Sequence, residues 1–364
     1  MPSKSMKDRA NNQIWVRAEL KENERRVAIV PKDAETLIKA GYDITVERSS
    51  QRCIDVSEYE AVGCKITEEA SWHNAPKDAF ILGVKELPEG ESDLIHRHIY
   101  FGHVYKDQPG WEHTLGRFVK GDGTLYDLEC LVDESNRRIA AFGYWAGYAG
   151  AAVAVKVWCG QKQAAVPALS EVSAYPNVDA LIAELSTTLK TIGEKPNMIV
   201  IGALGRTGSG ATDLGLALGM DITKWDMAET ASGGPFPEIQ QHSIFVNCIL
   251  ADKDCPRFVT GEDIKTADRR LSVIADVSCD PESAYNPIPI YNKATKFDDP
   301  TVAVIEGDNP LDVTAIDHLP SMLPLESSED YSRQLMTALI DLKEPEAGIW
   351  GRALEEYNRN IARL

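Results

Sequence analysis

The chain has 364 residues, which is long enough for at least two packed domains. Of these residues 43% are hydrophobic and 26% are charged, a composition typical of globular proteins. A formal net charge of −18 disfavours nucleic acid as a partner. Seven cysteines without a CxxC pair argue against zinc sites and a disulfide framework, and His96 and His98 lack nearby partners for a metal. The longest apolar stretch, residues 140–155, is too short to span a membrane, so no membrane association is expected.

The first part of the chain alternates predicted strands and helices. Extended segments are predicted at 14–19, 43–47, 79–87 and 99–105, and a helix at 31–40. This alternation is typical of βαβ units. It therefore predicts an α/β fold with a parallel sheet flanked by helices.

The second part of the chain repeats this organisation. Helices are predicted at 143–159 and 178–192, followed by a new alternating series from 197 to about 305. Two amphipathic helices, 327–342 and 349–362, come too late to belong obviously to the second sheet. They are candidates for folding back on the first domain.

A glycine-rich turn follows the first strand of the second series. Gly202, Gly205 and Gly208 have GxxGxxG spacing, which suits a turn that holds a pyrophosphate at a helix N-terminus, with Gly205 and Arg206 as contacts. The same glycines would also serve an ordinary tight turn. Asp226 ends the next predicted strand, where a carboxylate binds ribose hydroxyls and repels a 2′-phosphate. The pattern therefore predicts NAD rather than NADP.

Two residues suited to proton transfer follow apolar runs in the first domain. Lys85 and His103 lie where the carboxyl ends of parallel strands are expected to meet. A surface lysine and a hydrogen-bonded core histidine are the plain structural alternatives. As a pair they have the chemistry of general acid–base catalysis.

Basic residues cluster locally in this acidic chain. Arg25–Arg26 and Arg137–Arg138 lie next to predicted strand ends, and arginine forks suit carboxylates. Together with Lys106 and Gln108 they predict an anion-binding wall.

Longer strings of residues resemble the fungal saccharopine dehydrogenases over nearly the whole chain. The matching strings are Gly83–Glu86, His103–Gln108, Gly123–Glu129, Arg137–Gly143, Ile201–Arg206, Lys224–Asp226, Gly233–Phe236, Asp276–Ser278, Asn286–Ile290 and Asp317–Pro320. The family is related to alanine dehydrogenase and the transhydrogenase nucleotide domains. The resemblance implies two Rossmann-like domains with the active site in the cleft between them. The substrate-binding domain is expected to comprise residues 1–141 plus 326–364, and the NAD-binding domain residues 142–325.

The resemblance also implies the reaction, which is the last step of the α-aminoadipate route to lysine. Saccharopine, NAD⁺ and water give lysine, 2-oxoglutarate and NADH, and lysine and 2-oxoglutarate are the substrates in reverse. Lys85 and His103 are then the acid–base pair. The residues expected around saccharopine are Arg26, Lys106, Gln108, Arg138 and Phe142. The residues expected at the dinucleotide are Arg137, Gly205, Arg206, Asp226, Thr230, Leu250, Val277, Ile316, Asp317, His318 and Leu319.

One departure from the family is Thr207, where a cysteine can occupy the glycine turn. A monomer is expected from the resemblance. The first dozen residues are too polar for a secretory signal, which predicts a cytoplasmic protein, while Ala362–Leu364 resembles a peroxisomal Ser-Lys-Leu address. The alternative functions are an alanine dehydrogenase-like amino-acid oxidoreductase and a dinucleotide sensor without turnover.

Overall fold

The computed structural model describes residues 12–266 and 268–364. Residues 1–11, which make up most of the N-terminal segment considered above, and Ala267 lie outside the description. The chain divides into two compact units. Unit 1 comprises the residues up to Ala141 together with Leu325–Leu364, and unit 2 comprises Phe142–Pro324. Among the described helices, none combines the length and apolar character of a membrane span.

Strands and helices alternate in both units. The strands are β1 (Gln13–Val16), β2 (Asp43–Glu47), β3 (Lys65–Thr67), β4 (Phe80–Leu82), β5 (Arg97–Tyr100), β6 (Thr124–Asp127), β7 (Asn197–Ile201), β8 (Asp221–Trp225), β9 (Ile244–Asn247), β10 (Val273–Asp276), β11 (Val302–Ile305) and β12 (Leu311–Thr314). The α-helices are α1 (Pro31–Lys39), α2 (Val56–Ala61), α3 (Trp111–Gly121), α4 (Gly143–Lys162), α5 (Val178–Ile192), α6 (Arg206–Ala217), α7 (Met227–Thr230), α8 (Pro324–Leu339) and α9 (Gly348–Ile361).

The sheet of unit 1 has the order β3-β2-β1-β4-β5-β6, and its strand pairs are parallel. Its helices follow local signals, as in α1, which has a proline at its N-terminus, Asp33 in its first turn, and Ala34 and Leu37 in the core. The strands before Lys85 and His103 are shorter than predicted. His103 has a φ of 52°, a left-handed conformation that ends strand geometry. Both residues therefore lie in loops just beyond the strands.

The C-terminal helices α8 and α9 complete unit 1. The Ser328 hydroxyl accepts a hydrogen bond from the Val27 N–H at 3.0 Å. The Tyr357 hydroxyl donates to the Gly123 carbonyl at 3.0 Å. These bonds join segments that lie hundreds of residues apart in sequence. The C-terminal helices therefore pack within unit 1.

The sheet of unit 2 has the order β11-β12-β10-β9-β7-β8. Its pairs are parallel apart from β11, which runs antiparallel to β12, a difference from the expected all-parallel sheet. Helix α4 is apolar on all sides and buried, and it packs closely on α6. A Cβ added to Gly147 would lie 1.8 Å from the Thr207 carbonyl oxygen, and one on Gly210 would lie 1.9 Å from the Tyr144 carbonyl oxygen. Glycine at these two positions permits the close helix contact.

Candidate active site

The backbone at Lys85 is held by a buried ion pair that follows β1. The carboxylate of Glu19 accepts the N–H groups of Val84 at 2.7 Å and Lys85 at 3.0 Å. Arg17 lies 3.3 Å from Glu19 and donates to the Lys85 carbonyl. Burial raises the pKa of Glu19, and the Arg17 charge opposes that rise. Sequence reasoning missed both residues, although opposite charges two residues apart after a buried strand were a signal.

The half-buried Lys85 side chain lies near two carboxylates. Burial alone would raise the pKa of Glu24, but the adjacent Arg26 guanidinium, with a smaller contribution from Lys85, holds it below its usual value. Burial acts on Glu86 in the same way, and contact with Lys21 at 2.7 Å and the charge of Lys85 lower its pKa. The charge of Lys85 therefore stabilises the ionised form of both carboxylates.

Glu129, just after β6, gathers three predicted site residues around one carboxylate. Its oxygens lie 3.8 Å from Nδ1 of His103, 3.7 Å from Nζ of Lys106 and 3.5 Å from a guanidinium nitrogen of Arg138. Only 19% of the Glu129 side chain is exposed. A carboxylate in this position can orient the imidazole and balance the local positive charge. Sequence reasoning gave Glu129 no role, although an acid directly after a buried strand was a usable signal.

A second carboxyl group lies beneath this cluster. Asp127 is almost fully buried at the end of β6 and accepts the Glu129 N–H at 2.9 Å. Burial raises the pKa of Asp127 to about 6, while hydrogen bonds from the N–H groups of Glu129 and Gly102 and the charge of His103 oppose the rise. A buried carboxyl group with a raised pKa therefore contacts the segment that carries His103.

The remaining predicted residues around the substrate have different surroundings. Arg26 is buried, and its guanidinium donates to both carboxylate oxygens of Glu24 at 2.8 and 2.6 Å. The Gln108 side-chain oxygen accepts the Lys106 N–H at 2.8 Å. Phe142 is the N-cap residue of α4 in unit 2.

Arg137, predicted at the dinucleotide, belongs to unit 1. Its side chain is 80% exposed and contacts Asp133 at 3.1 Å. It does not join the Glu129 cluster, in contrast to its neighbour Arg138.

In unit 2 the glycine-rich turn joins β7 to α6. Gly202 has a φ of 86°, the left-handed conformation that a tight turn requires. A Cβ on Gly208 would lie 2.1 Å from the Gly202 carbonyl oxygen, so glycine allows the helix to approach the strand. Gly205 is the N-cap of α6, and Gly205 and Arg206 are exposed. With no acidic residue in its first turn, this helix N-terminus suits an anionic phosphate group.

Asp226 lies directly after β8 and is tied to the glycine turn. Its carboxylate accepts the Leu204 N–H at 3.0 Å and the Met227 N–H at 2.9 Å. The Thr230 hydroxyl donates to the Asp226 carbonyl oxygen at 3.0 Å. Each carboxylate oxygen can accept a further hydrogen bond, so the residue remains suited to ribose hydroxyls.

Three apolar side chains near this turn are unusually exposed. Leu204 is 82% exposed, and Met227 and Leu250 are each 83% exposed. Leu250 was predicted to contact the dinucleotide, whereas Leu204 and Met227 were not singled out. Val277, another predicted contact, is half-buried after β10. Apolar side chains at these strand ends suit the faces of a planar ring.

The predicted contact segment after β12 contains both buried and exposed side chains. Ile316 and Leu319 are almost fully buried, so only their backbone groups remain suited to a ligand. Asp317 is exposed, and the His318 ring stacks on Phe297 with 4.4 Å between ring centroids. Within the described ranges, no group of three or more His, Cys, Asp or Glu residues is arranged to hold a metal ion.

The fold and the glycine turn define the class: an α/β protein with two Rossmann-like units, one of which has the features of a dinucleotide site. Residues 15–149 match the family described as the alanine dehydrogenase/PNT N-terminal domain. A solved L-alanine dehydrogenase is similar with a TM-score of 0.63 and 16% identity, covering 96% of this chain and 93% of that one. This likeness confirms the predicted fold class.

Sequence relatives define the family more narrowly. Saccharopine dehydrogenase [NAD(+), L-lysine-forming] of Emericella nidulans is 49% identical, covering 97% of this chain and 98% of the relative. The protein of the same name from Schizosaccharomyces pombe is 45% identical, with 96% and 99% covered. The chain belongs to the family of NAD⁺-dependent, L-lysine-forming saccharopine dehydrogenases.

Proposed function

We propose that this protein catalyses the NAD⁺-dependent oxidative deamination of L-saccharopine to L-lysine and 2-oxoglutarate. Membership of the family at up to 49% identity over almost the full chain is the observation that carries this proposal. The positions of Lys85 and His103 support this proposal. The Phe101 N–H donates to the Val84 carbonyl at 3.0 Å, so Lys85 and His103 follow neighbouring strands at the same edge of the unit 1 sheet.

Lys85 is proposed to accept the proton of the secondary amine as the adjacent C–H bond of saccharopine is oxidised. NAD⁺ supplies the hydride acceptor when bound. Water adds to the carbon of the resulting substrate imine while Lys85 returns its proton to the nitrogen and His103 accepts one proton of that water, which gives a carbinolamine. The protonated His103 then donates to the amine nitrogen, and the carbinolamine hydroxyl gives its proton to Lys85. The carbon–nitrogen bond breaks as the keto group forms, which releases lysine and 2-oxoglutarate. Glu129 stabilises the protonated imidazole during this transfer.

The carboxylates of saccharopine require cations in an otherwise acidic protein. Arg26, Lys106, Gln108 and Arg138 are proposed to bind them, with Phe142 contributing an apolar contact. Lys106 and Arg138 keep donors beyond their contact with Glu129, because an ammonium has three N–H donors and a guanidinium has five. These contacts hold the reacting carbon in position.

NAD⁺ is proposed to bind unit 2, with unit 1 as the substrate-binding unit. The pyrophosphate would lie at the N-terminus of α6, beside Gly205 and Arg206, and Asp226 would accept the ribose hydroxyls. The further proposed contacts are Arg137, Thr230, Leu250, Val277 and residues 316–319. The Asp226 charge favours NAD over NADP, because it repels a 2′-phosphate.

A monomeric state is also proposed. The proposed location is the cytoplasm, and the alternative is the peroxisome, reached through the tripeptide Ala362–Leu364. Light scattering on the purified protein measures the first. Localisation of the tagged chain with and without Leu364 measures the second, and an unchanged distribution would contradict the peroxisomal proposal.

The proposed role of Lys85 is tested by Lys85→Met. Lys77→Met is the matched control, because Lys77 is exposed on the same unit and its described ion pair is with the surface residue Asp122. Lys85→Met is expected to lose at least about a hundredfold in turnover, in the range of a lost general base, and to retain NADH binding. Lys77→Met should match the wild type. Wild-type turnover in Lys85→Met would contradict the assignment, and turnover of alanine instead of saccharopine would favour the alternative amino-acid oxidoreductase.

A further inference from the structure

The segment between β5 and α3, residues 101–110, carries His103, Lys106 and Gln108, which the proposed function places at the substrate. Its backbone is left-handed at two non-glycine positions, with φ 52° at His103 and 58° at Asp107. This conformation is unfavourable for residues with a Cβ, although Asp and His tolerate it better than most. The segment therefore depends on contacts from other parts of the unit to hold its shape.

One such contact comes from the end of the chain. The guanidinium of Arg363, just beyond α9, donates to the Asp107 carboxylate and to the Asn360 side-chain oxygen, the latter at 2.9 Å. It also lies over the Trp111 ring, 4.4 Å from the centroid. Asp107 and Trp111 lie on either side of Gln108. A single side chain thus joins the bend of the segment to the first residue of the next helix.

We propose that Arg363 is a positioning residue that holds the substrate-binding segment in its active shape. An exposed ion pair alone contributes little, but only 38% of the Arg363 side chain is exposed and three partners fix its geometry. Asp107 lies between Lys106 and Gln108, and the Lys106 N–H donates to the Gln108 side chain at 2.8 Å. Displacement of Asp107 therefore moves both substrate contacts together.

The kinetic test compares Arg363→Ala with the control variant Arg359→Ala. Arg359 pairs with Glu356 on its own helix, and its replacement changes the net charge by the same amount. Since the inference rests on the proposed function, wild-type turnover of saccharopine is measured first. Arg363→Ala is expected to raise KM for saccharopine about fivefold, the equivalent of one exposed pair plus a cation–π contact, with kcat within about twofold. NADH affinity and melting temperature should be unchanged, as should every parameter of Arg359→Ala.

Asp107→Asn keeps a residue that tolerates the left-handed conformation but removes the ion pair. It should raise KM as Arg363→Ala does, and the double variant should be no worse than either single variant. Additive effects, an unchanged KM in Arg363→Ala, or equal losses in the Arg359→Ala control would overturn the proposal. So would a fall in melting temperature that accounts for the whole effect.

Hydrogen exchange separates this proposal from the proposed function, because it requires no turnover. Amide exchange in residues 103–110 should become faster in Arg363→Ala and remain unchanged in Arg359→Ala. Unchanged exchange in Arg363→Ala would overturn the positioning role whatever the enzyme's activity. Faster exchange in a protein that does not oxidise saccharopine would support the role of Arg363 and contradict the proposed function.

Discussion

The contact between α4 and α6 makes a quantitative prediction for Gly147→Ala. The new methyl group would lie 1.8 Å from the Thr207 carbonyl oxygen and 2.7 Å from its carbonyl carbon, so the helices must separate by more than about 1 Å to reach ordinary contact. Overpacking of this kind costs about 3 kcal/mol, and replacement of a helical glycine by alanine returns up to about 1 kcal/mol. We therefore expect the free energy of unfolding to fall by about 2 kcal/mol.

The same displacement should reach the cofactor site, because Thr207 is the second residue of the helix that begins at the glycine turn. The dissociation constant for NADH is expected to rise about tenfold, as a displacement of about 1 Å in a preorganised site costs at least that much. Urea unfolding followed by circular dichroism gives the stability, and NADH fluorescence titration gives the affinity.

Gly116→Ala provides the matched control in α3. An added Cβ there has no described atom within 4 Å, so the variant should gain about 0.5 to 1 kcal/mol and bind NADH normally. If Gly147→Ala were as stable as Gly116→Ala, the close helix contact would not be the reason for glycine at position 147. A loss of stability with unchanged NADH affinity would refute the link to the glycine turn.

Three further predictions concern buried or charged groups. Burial raises the pKa of Asp127 to about 6, so its contribution to stability is present below the unfolded pKa of about 3.8 and is lost as the pH rises through 6. The free energy of unfolding of Asp127→Asn should therefore increase by about 2 to 3 kcal/mol relative to that of the wild type between pH 3.5 and pH 7. A pH-independent difference would contradict this. Burial among rings such as Trp72, 5.1 Å away, holds the pKa of His98 well below 6.5, so stability is present above that value and is lost as the pH falls. His98→Leu should remove a slope of about 1.4 kcal/mol per pH unit below pH 6.5, and an unchanged slope would exclude His98 as its source. Asp226→Ala should weaken NAD binding about tenfold or more, because charged hydrogen bonds are lost, while NADP binding changes little. Isothermal titration calorimetry with both nucleotides measures the two affinities. Equal losses of affinity for NAD and NADP would count against ribose recognition by Asp226.

Much of the fold could be predicted because its elements carry local signals. The predictions of β2 at 43–47, α5 at 178–192 and β7 at 197–201 agree with the structure residue for residue. The strand predicted at 99–105 ends at Tyr100. The left-handed conformation of His103 was not predicted, because the sequence carries no reliable local signal for it. The antiparallel direction of β11 was not predicted, since an apolar run does not encode strand direction.

In the candidate site, too, some residues could be predicted from the sequence and others could not. The rule that ligands bind beyond the ends of parallel strands led to Lys85, His103 and Asp226, whose roles stay predictions. The position of Glu129 beside His103, Lys106 and Arg138 was not predictable, because these residues come from segments separated from Glu129 in sequence. The burial of Arg17 and Glu19 was also missed, because charged residues are expected at the surface unless their partners are known.

The most direct test of the proposed function is the reaction of purified protein with L-saccharopine and NAD⁺, followed by NADH absorbance and by assays for lysine and 2-oxoglutarate. We expect NADH, lysine and 2-oxoglutarate in equal amounts, with little NADPH when NADP⁺ replaces NAD⁺ and no signal when alanine replaces saccharopine. Absence of all three products from a protein that still binds NADH would contradict the account and favour a dinucleotide sensor.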